Sequence, residues 1–141
     1  GREGNGSCRR QNYRYCPTSR MSNTYIDNGK STPEEIIAAT KLGLYAVGFN
    51  GGSVDPTTGE FNFGCSEAYI IRDGKIAEPV KGATLIGKGE EVLKNIDMVA
   101  NDLALGQGNC GASSGSIRTN VGQPTIRISS ITVGGRGGEL K

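Results

Sequence analysis

Four cysteines, Cys8, Cys16, Cys65 and Cys110, are the softest donors and best nucleophiles in this sequence, and there is no histidine at all. Without an imidazole the chain by itself has neither a Ser-His-Asp nor a Cys-His hydrolytic set, and it makes no His-ligated metal site of its own. The cysteine spacings contain no CxxC pair and no zinc-ribbon rhythm. Cys110 stands apart because it lies in Gly108-Asn109-Cys110-Gly111, read as a loop in which glycine lets the backbone approach something closely. Its thiolate would serve as a metal ligand or as a nucleophile, and the plain alternative is a buried, unreactive thiol. One thiolate cannot hold zinc, which takes three or four ligands, so if Cys110 is a ligand its partners lie outside this chain. Glu67, Asp97 and Asp102 are candidate general bases, but no diagnostic spacing pairs them, and surface or capping carboxylates is the simpler reading.

Three further patterns carry less than their letters suggest. Gly106-Gln107-Gly108-Asn109-Cys110-Gly111 spells GxGxxG. That motif needs a helix N-terminus after it to present N–H groups to a pyrophosphate, whereas Ala112-Ser113-Ser114-Gly115 is poor helix material and no acidic residue stands about 20 positions on. Residues 1–23 are basic, with Arg2, Arg9, Arg10, Arg14 and Arg20 against Glu3, and Tyr13, Tyr15 and Tyr25 interleaved. Cations track phosphate and aromatics stack on bases, but a cluster of this size reads more simply as an extended or irregular arm that is solvated or self-packed, and nucleic acid is not the expected partner. Asn5-Gly6-Ser7 matches the glycosylation sequon, which needs a secretory route to matter.

The elements that must position these residues follow from local chemistry. Among 141 residues there are 23 Gly, roughly twice the usual ~7% share, which points to turns and strand ends rather than a helical bundle. Thr32-Pro33-Glu34-Glu35 is the clearest signal: Thr32 caps, Pro33 suits the first helical position and Glu35 closes a capping box. The helix is expected over about 33–42, with Gly43 as its stop. A short strand over Leu44 to Phe49 is expected to end at Asn50-Gly51-Gly52, followed by a turn at Asp55–Gly59 and a strand containing Phe61 and Phe63. Asp73-Gly74 between Ala68–Arg72 and Lys75–Val80 is the strongest hairpin signal. A second helix is expected over about 89–97, a Gly/Asn/Ser-rich stretch over Gly106 to Gly122, and strands over Thr125 to Ile128 and Ile131 to Val133 before a Gly-rich tail. The fold class is therefore α+β, a mostly antiparallel β-sheet with two short helices, and residues 24–141 are expected to form one domain portion after the arm.

The compartment reading rests on composition. The formal net charge is +2, from 16 Lys+Arg and 14 Asp+Glu, so no strong field demands a polyanion. No run of 18 apolar residues spans a membrane, and Gly1-Arg2-Glu3-Gly4 has no apolar core of a signal peptide. The opening Gly in place of Met suggests a trimmed or excised piece. Reduced thiols in a cytoplasmic protein is the expectation.

Several ordered blocks together resemble one family. Arg9-Arg10, Tyr13-Arg14 and Arg20-Met21-Ser22-Asn23-Thr24-Tyr25 resemble the arginine-rich RMxNTY stretch of the TldD/PmbA family, also called modulator of DNA gyrase. Lys30 to Ile37, Gly43-Leu44-Tyr45, Ser66-Glu67-Ala68-Tyr69, Pro79 to Gly87 and Asn101-Asp102-Leu103 follow in the family's order. Cys110-Gly111, Val121-Gly122-Gln123-Pro124 and Thr132-Val133-Gly134-Gly135 complete the series, and the Cys-Gly element makes it similar to the TldD branch. Ser114-Gly115 stands where the family usually has Gly-Gln. The resemblance implies the C-terminal portion of a cytosolic zinc metalloprotease several hundred residues long, with zinc held by two His of an HExxxH helix and by a Cys that corresponds to Cys110. It further implies peptide hydrolysis by metal-activated water, a chain inactive without its HExxxH part, and a partner that is the remainder of such a protein together with a PmbA-like subunit or a second copy. The peptide would pair with a strand edge near Glu67–Ile71 or at the Cys110 loop. Cys8, Cys16 and Cys65 take no role from the resemblance. The alternative is a non-catalytic module for PmbA-like assembly or gyrase modulation.

Overall fold

The computed structural model describes residues 3–135; Arg2 of the basic arm and the glycine-rich tail beyond Gly135 lie outside the described residues. In chain order the elements are β1 (Cys8–Arg9), β2 (Thr18–Ser19), β3 (Thr24–Tyr25), α1 (Pro33–Ala38), β4 (Leu42–Val54), β5 (Glu60–Arg72), β6 (Lys75–Pro79) and β7 (Thr84–Lys88). They continue with α2 (Gly89–Lys94), β8 (Ile96–Val99), β9 (Ala104–Ala112), β10 (Gly115–Gln123), β11 (Ile126–Ile128) and β12 (Thr132–Gly134). Two short helices among antiparallel strands make the expected α+β class, with one parallel pairing, β3 on β10, and one parallel bridge, Ser31 to Ala100. The described chain divides into two units.

One unit takes Gly29–Asn101 and the chain from Thr125 onward. Its sheet has the order β12-β7-β5-β4, with β6 also on β5. The capping box forms as the sequence requires: Glu35 N–H donates to Thr32 Oγ1 at 3.2 Å and Thr32 N–H to Glu35 Oε2 at 2.9 Å. The helix stops at Ala38, four residues before the expected end. Thr40 Oγ1 donates to the Ile36 carbonyl at 2.8 Å, and the carbonyls of Thr40 and Lys41 are taken by the N–H groups of Gly74 and Asp73. The β5–β6 turn thus claims the backbone that a longer α1 would have used. That turn is the expected one, with φ of 46° at Asp73 and 76° at Gly74.

The strand expected over Leu44 to Phe49 instead runs to Val54 through Asn50-Gly51-Gly52, because register shifts between Phe49 and Gly52 absorb the glycines as a bulge. Gly51 has φ of 117°, a conformation that favours glycine. The β4–β5 hairpin closes through Asp55, whose Oδ1 accepts from Thr57 N–H at 2.7 Å. Cys65, Ala68 and Ala83 form a small core under Leu44, Ala46, Val80 and Leu85. The second helix is also shorter than expected, ending at Lys94: Ile96 onward pairs with β11, and Ser129 N–H donates to the Asn95 carbonyl at 2.8 Å.

The other unit joins the chain up to Asn28 to Asp102–Pro124. Here the Gly/Asn/Ser-rich stretch proves to be a two-stranded ribbon, β9 and β10, in unbroken register from Ala104–Gln123 to Ala112–Gly115. Glycine lacks the side chains that mark a strand by alternation, but its N–H and C=O groups pair like any others. The N-terminal residues fasten to this ribbon: Gln11 N–H donates to the Ser114 carbonyl at 2.9 Å, Ser116 N–H to Gln11 Oε1 at 2.8 Å and Ile26 N–H to the Gly122 carbonyl at 3.0 Å.

Candidate metal centre

Cys110 lies inside β9, not in a loop, directly opposite Ile117 of β10. Cross-strand partners share a face, so Gly108 and Thr119 flank this pair on the same side, while Asn109, Arg118, Gln107 and Asn120 occupy the other. The thiol is half-buried and unoxidised. Beside it Gly108 leaves open space, since a Cβ there would meet nothing within 4 Å. A soft donor bordered by room for a further group suits zinc, and the site takes its remaining ligands from elsewhere: among the described residues no three His, Cys, Asp or Glu side chains gather to hold a metal.

The residue that fixes this strand was hidden among the arm's cations. Arg20 is 6% exposed. Its Nη1 donates to Ser114 Oγ at 2.5 Å and to the Gly115 carbonyl at 2.8 Å, and its Nη2 donates to the carbonyl of Cys110 itself. One guanidinium thereby ties the turn of the ribbon to the backbone of the cysteine, using the fixed fork of donors that lysine lacks. Gly115, with φ of 91°, turns its carbonyl toward that fork. Composition distinguishes Arg20 from its neighbours in no way; only its place in the RMxNTY-like block marked it.

The remaining candidates disperse. Cys65 is buried in the small core, where desolvation pushes its thiol up, and Cys8 and Cys16 are exposed. Glu67 lies inside β5 and accepts from the Tyr69 hydroxyl at 2.9 Å, which raises the Tyr69 hydroxyl. Asp97 is gripped by Arg127, Nε to Oδ1 at 2.8 Å and Nη2 to Oδ2 at 2.9 Å, and this bonding lowers its carboxyl. Asp102 sits between β8 and β9. GxGxxG is strand throughout, with no helix after it. In the arm, Arg14 stacks 5.6 Å from the Tyr13 ring and Arg9 donates to the Met21 carbonyl at 3.0 Å, so both are engaged within the chain.

Strand order separates the two edges considered for a peptide. Around Glu67–Ile71, β5 has β4 on one side and β6 on the other, and Val80 N–H takes the Ala68 carbonyl, so no edge is free there. In the ribbon, β10 lies between β3 and β9, which leaves β9 as an edge strand among the described residues.

Comparison with known proteins agrees with this architecture. The PmbA/TldA metallopeptidase C-terminal domain matches residues 1–135. A metalloprotease TldD homolog from Haemophilus influenzae is 52% identical over 132 residues, covering 92% of this chain and 27% of that protein. A zinc metalloprotease TldD homolog from Saccharolobus solfataricus is 30% identical over 135 residues, covering 96% of this chain and 30% of its own. The chain thus spans under a third of these relatives' lengths. The crystal structure of TldE from Thermococcus kodakarensis shares the fold, with a TM-score of 0.72 at 22% identity over 94% of this chain and 28% of that one. The ordered sequence blocks, the ribbon that carries Cys110 and these matches have one reading: the chain belongs to the TldD/PmbA family and corresponds to its C-terminal domain.

Proposed function

We propose that this chain is the C-terminal portion of a cytoplasmic TldD-type zinc metalloprotease, in which Cys110 supplies one metal ligand and β9 part of the peptide cleft. The observation that carries the reading is the half-buried thiol of Cys110 on an edge strand, beside the open space at Gly108, in a chain otherwise without histidine. Zinc, when bound, polarises a scissile carbonyl and lowers the pKa of a water. The chain's own residues do the positioning. Arg20 holds the Cys110 carbonyl, so the thiol leaves a backbone that cannot swing, and β9 offers its outer N–H and C=O groups to an extended peptide by strand addition. The ribbon's glycines keep that edge free of bulky side chains.

A PmbA-like subunit or a second copy is the proposed assembly partner. The unit built on β4 and β5 exposes Val47, Phe49 and Val54, apolar side chains of the kind an interface covers. No helix among the described residues is long and apolar enough to cross a membrane.

The test is Cys110→Ser in the full-length protein, with zinc content measured by elemental analysis and peptide hydrolysis followed together. Metal occupancy and hydrolysis are both expected to fall at least tenfold, while Cys65→Ser leaves both near the parent value. Unchanged zinc in the Cys110 variant would sink the ligand assignment.

A further inference from the structure

On the face of the ribbon opposite Cys110 lies a surface cavity of about 470 Å³. Its walls are Asn23, Gln107, Asn109, Thr119, Asn120 and Arg118, together with the backbone of Gly108: several amides, a hydroxyl and one cation, with no carboxylate and no large apolar group. Arg118 is exposed, and among the described residues it has no hydrogen-bond or ion-pair partner. It differs in this from Arg20, whose donors are spent inside the fold. The surrounding unit is basic by sequence, with six Arg against Glu3, Asp27 and Asp102. A planar guanidinium among neutral amides is the donor set for a planar carboxylate.

Register says where such a carboxylate would come from. Arg118 pairs directly with Asn109, and Asn109 immediately precedes Cys110 on β9. A peptide added to the free edge of β9 sends alternate side chains to the two faces of the ribbon. The peptide residue opposite Asn109 points to the Arg118 face, whereas its neighbour opposite Cys110 points to the thiol face. Two strand spacings, about 10 Å, separate that residue from β10. An extended arginine reaching over Asn109 and a Glu or Asp side chain reaching back close this gap from its two sides.

We infer that Arg118, with the amides of Asn109, Gln107, Asn120 and Asn23, forms a subsite for an acidic side chain of a peptide bound along β9. The inference rests on the peptide-cleft reading and deepens it by naming a substrate class: peptides with Glu or Asp one position from the residue facing Cys110.

The test measures binding rather than turnover. Fluorescently labelled decapeptides with amidated C-termini, identical except for one Glu or Gln scanned along the sequence, are titrated into the full-length protein by anisotropy. At one scan position Glu should bind about fivefold tighter than Gln, the size of a solvent-exposed charge pair near its upper limit (~1 kcal/mol). Arg118→Gln should erase the difference and Arg118→Lys keep part of it, and raising salt should shrink it. Equal binding of Glu and Gln at every position, or a preference that survives Arg118→Gln, overturns the subsite and leaves the cleft standing. An Arg118-dependent gain from a free C-terminus in place of Glu also overturns it, since the cavity would then read chain ends. Failure to bind any of the peptides overturns the subsite and the cleft together.

Discussion

Arg20→Met tests whether one guanidinium holds the cysteine-bearing ribbon together. Methionine keeps an unbranched apolar stem of similar reach and removes every donor. Three acceptors then lose their partner: Ser114 Oγ, the Gly115 carbonyl and the Cys110 carbonyl. Ser114 is fully buried, so water does not replace the lost bond there, whereas Gly115 and Cys110 are half-buried and partly rehydrate. A hydrogen bond to a charged donor contributes about 1.5–3 kcal/mol, and three would sum well above the net effect, because removing Arg20 also removes the cost of burying its charge. No carboxylate lies within salt-bridge range of Arg20 among the described residues, so this relief is real. The balance is a destabilisation of about 2–4 kcal/mol, confined to the unit that contains the ribbon. Amide hydrogen exchange reads this locally. Exchange within residues 104–123 should accelerate on the order of a hundredfold, while the β4–β5 hairpin keeps its parent rates. Arg20→Lys should recover a minor part, since an ammonium cannot span all three acceptors. If Arg20→Met changes exchange in the ribbon by less than about threefold, the guanidinium is not what fastens Cys110, and the positioning argument fails.

Two other expectations concern the second unit. The Arg127 pair holds the Asp97 carboxyl below its ordinary value, so its contribution is present above the unfolded carboxylate pKa, about 3.9, and is lost as pH falls through the depressed folded value. With Asp97 40% exposed, screening limits this to at most about 1 kcal/mol, and Asp97→Asn should remove that part of the acid dependence in denaturant titrations followed between pH 6 and pH 2; an unaltered pH profile would contradict the assignment. Thiol labelling under native conditions should modify Cys8 and Cys16 first and Cys65 last, because Cys65 is buried and its thiol is pushed up; peptide mapping by mass spectrometry resolves the order, and early labelling of Cys65 would show that its core opens.

What could be read from the chain alone were features whose physics acts over a few residues. The capping box at Thr32 and Glu35 and the turn at Asp73-Gly74 satisfy their own backbone groups locally, so their residues announce them. The lack of histidine and the singular setting of Cys110 are likewise properties of composition and neighbours in sequence. Tertiary structure decided where elements end and what the cysteine stands on. Both helices stop early because backbone groups distant in sequence take the carbonyls that another turn would need. The glycine-rich stretch is a strand ribbon because paired backbones satisfy each other whatever side chains they carry, and no alternation of polar and apolar residues records that pairing. Arg20 and Arg118 look alike in the sequence. Folding spends the first on three internal acceptors and leaves the second facing an open cavity of amides, since a long-range hydrogen bond belongs to the geometry of both its ends.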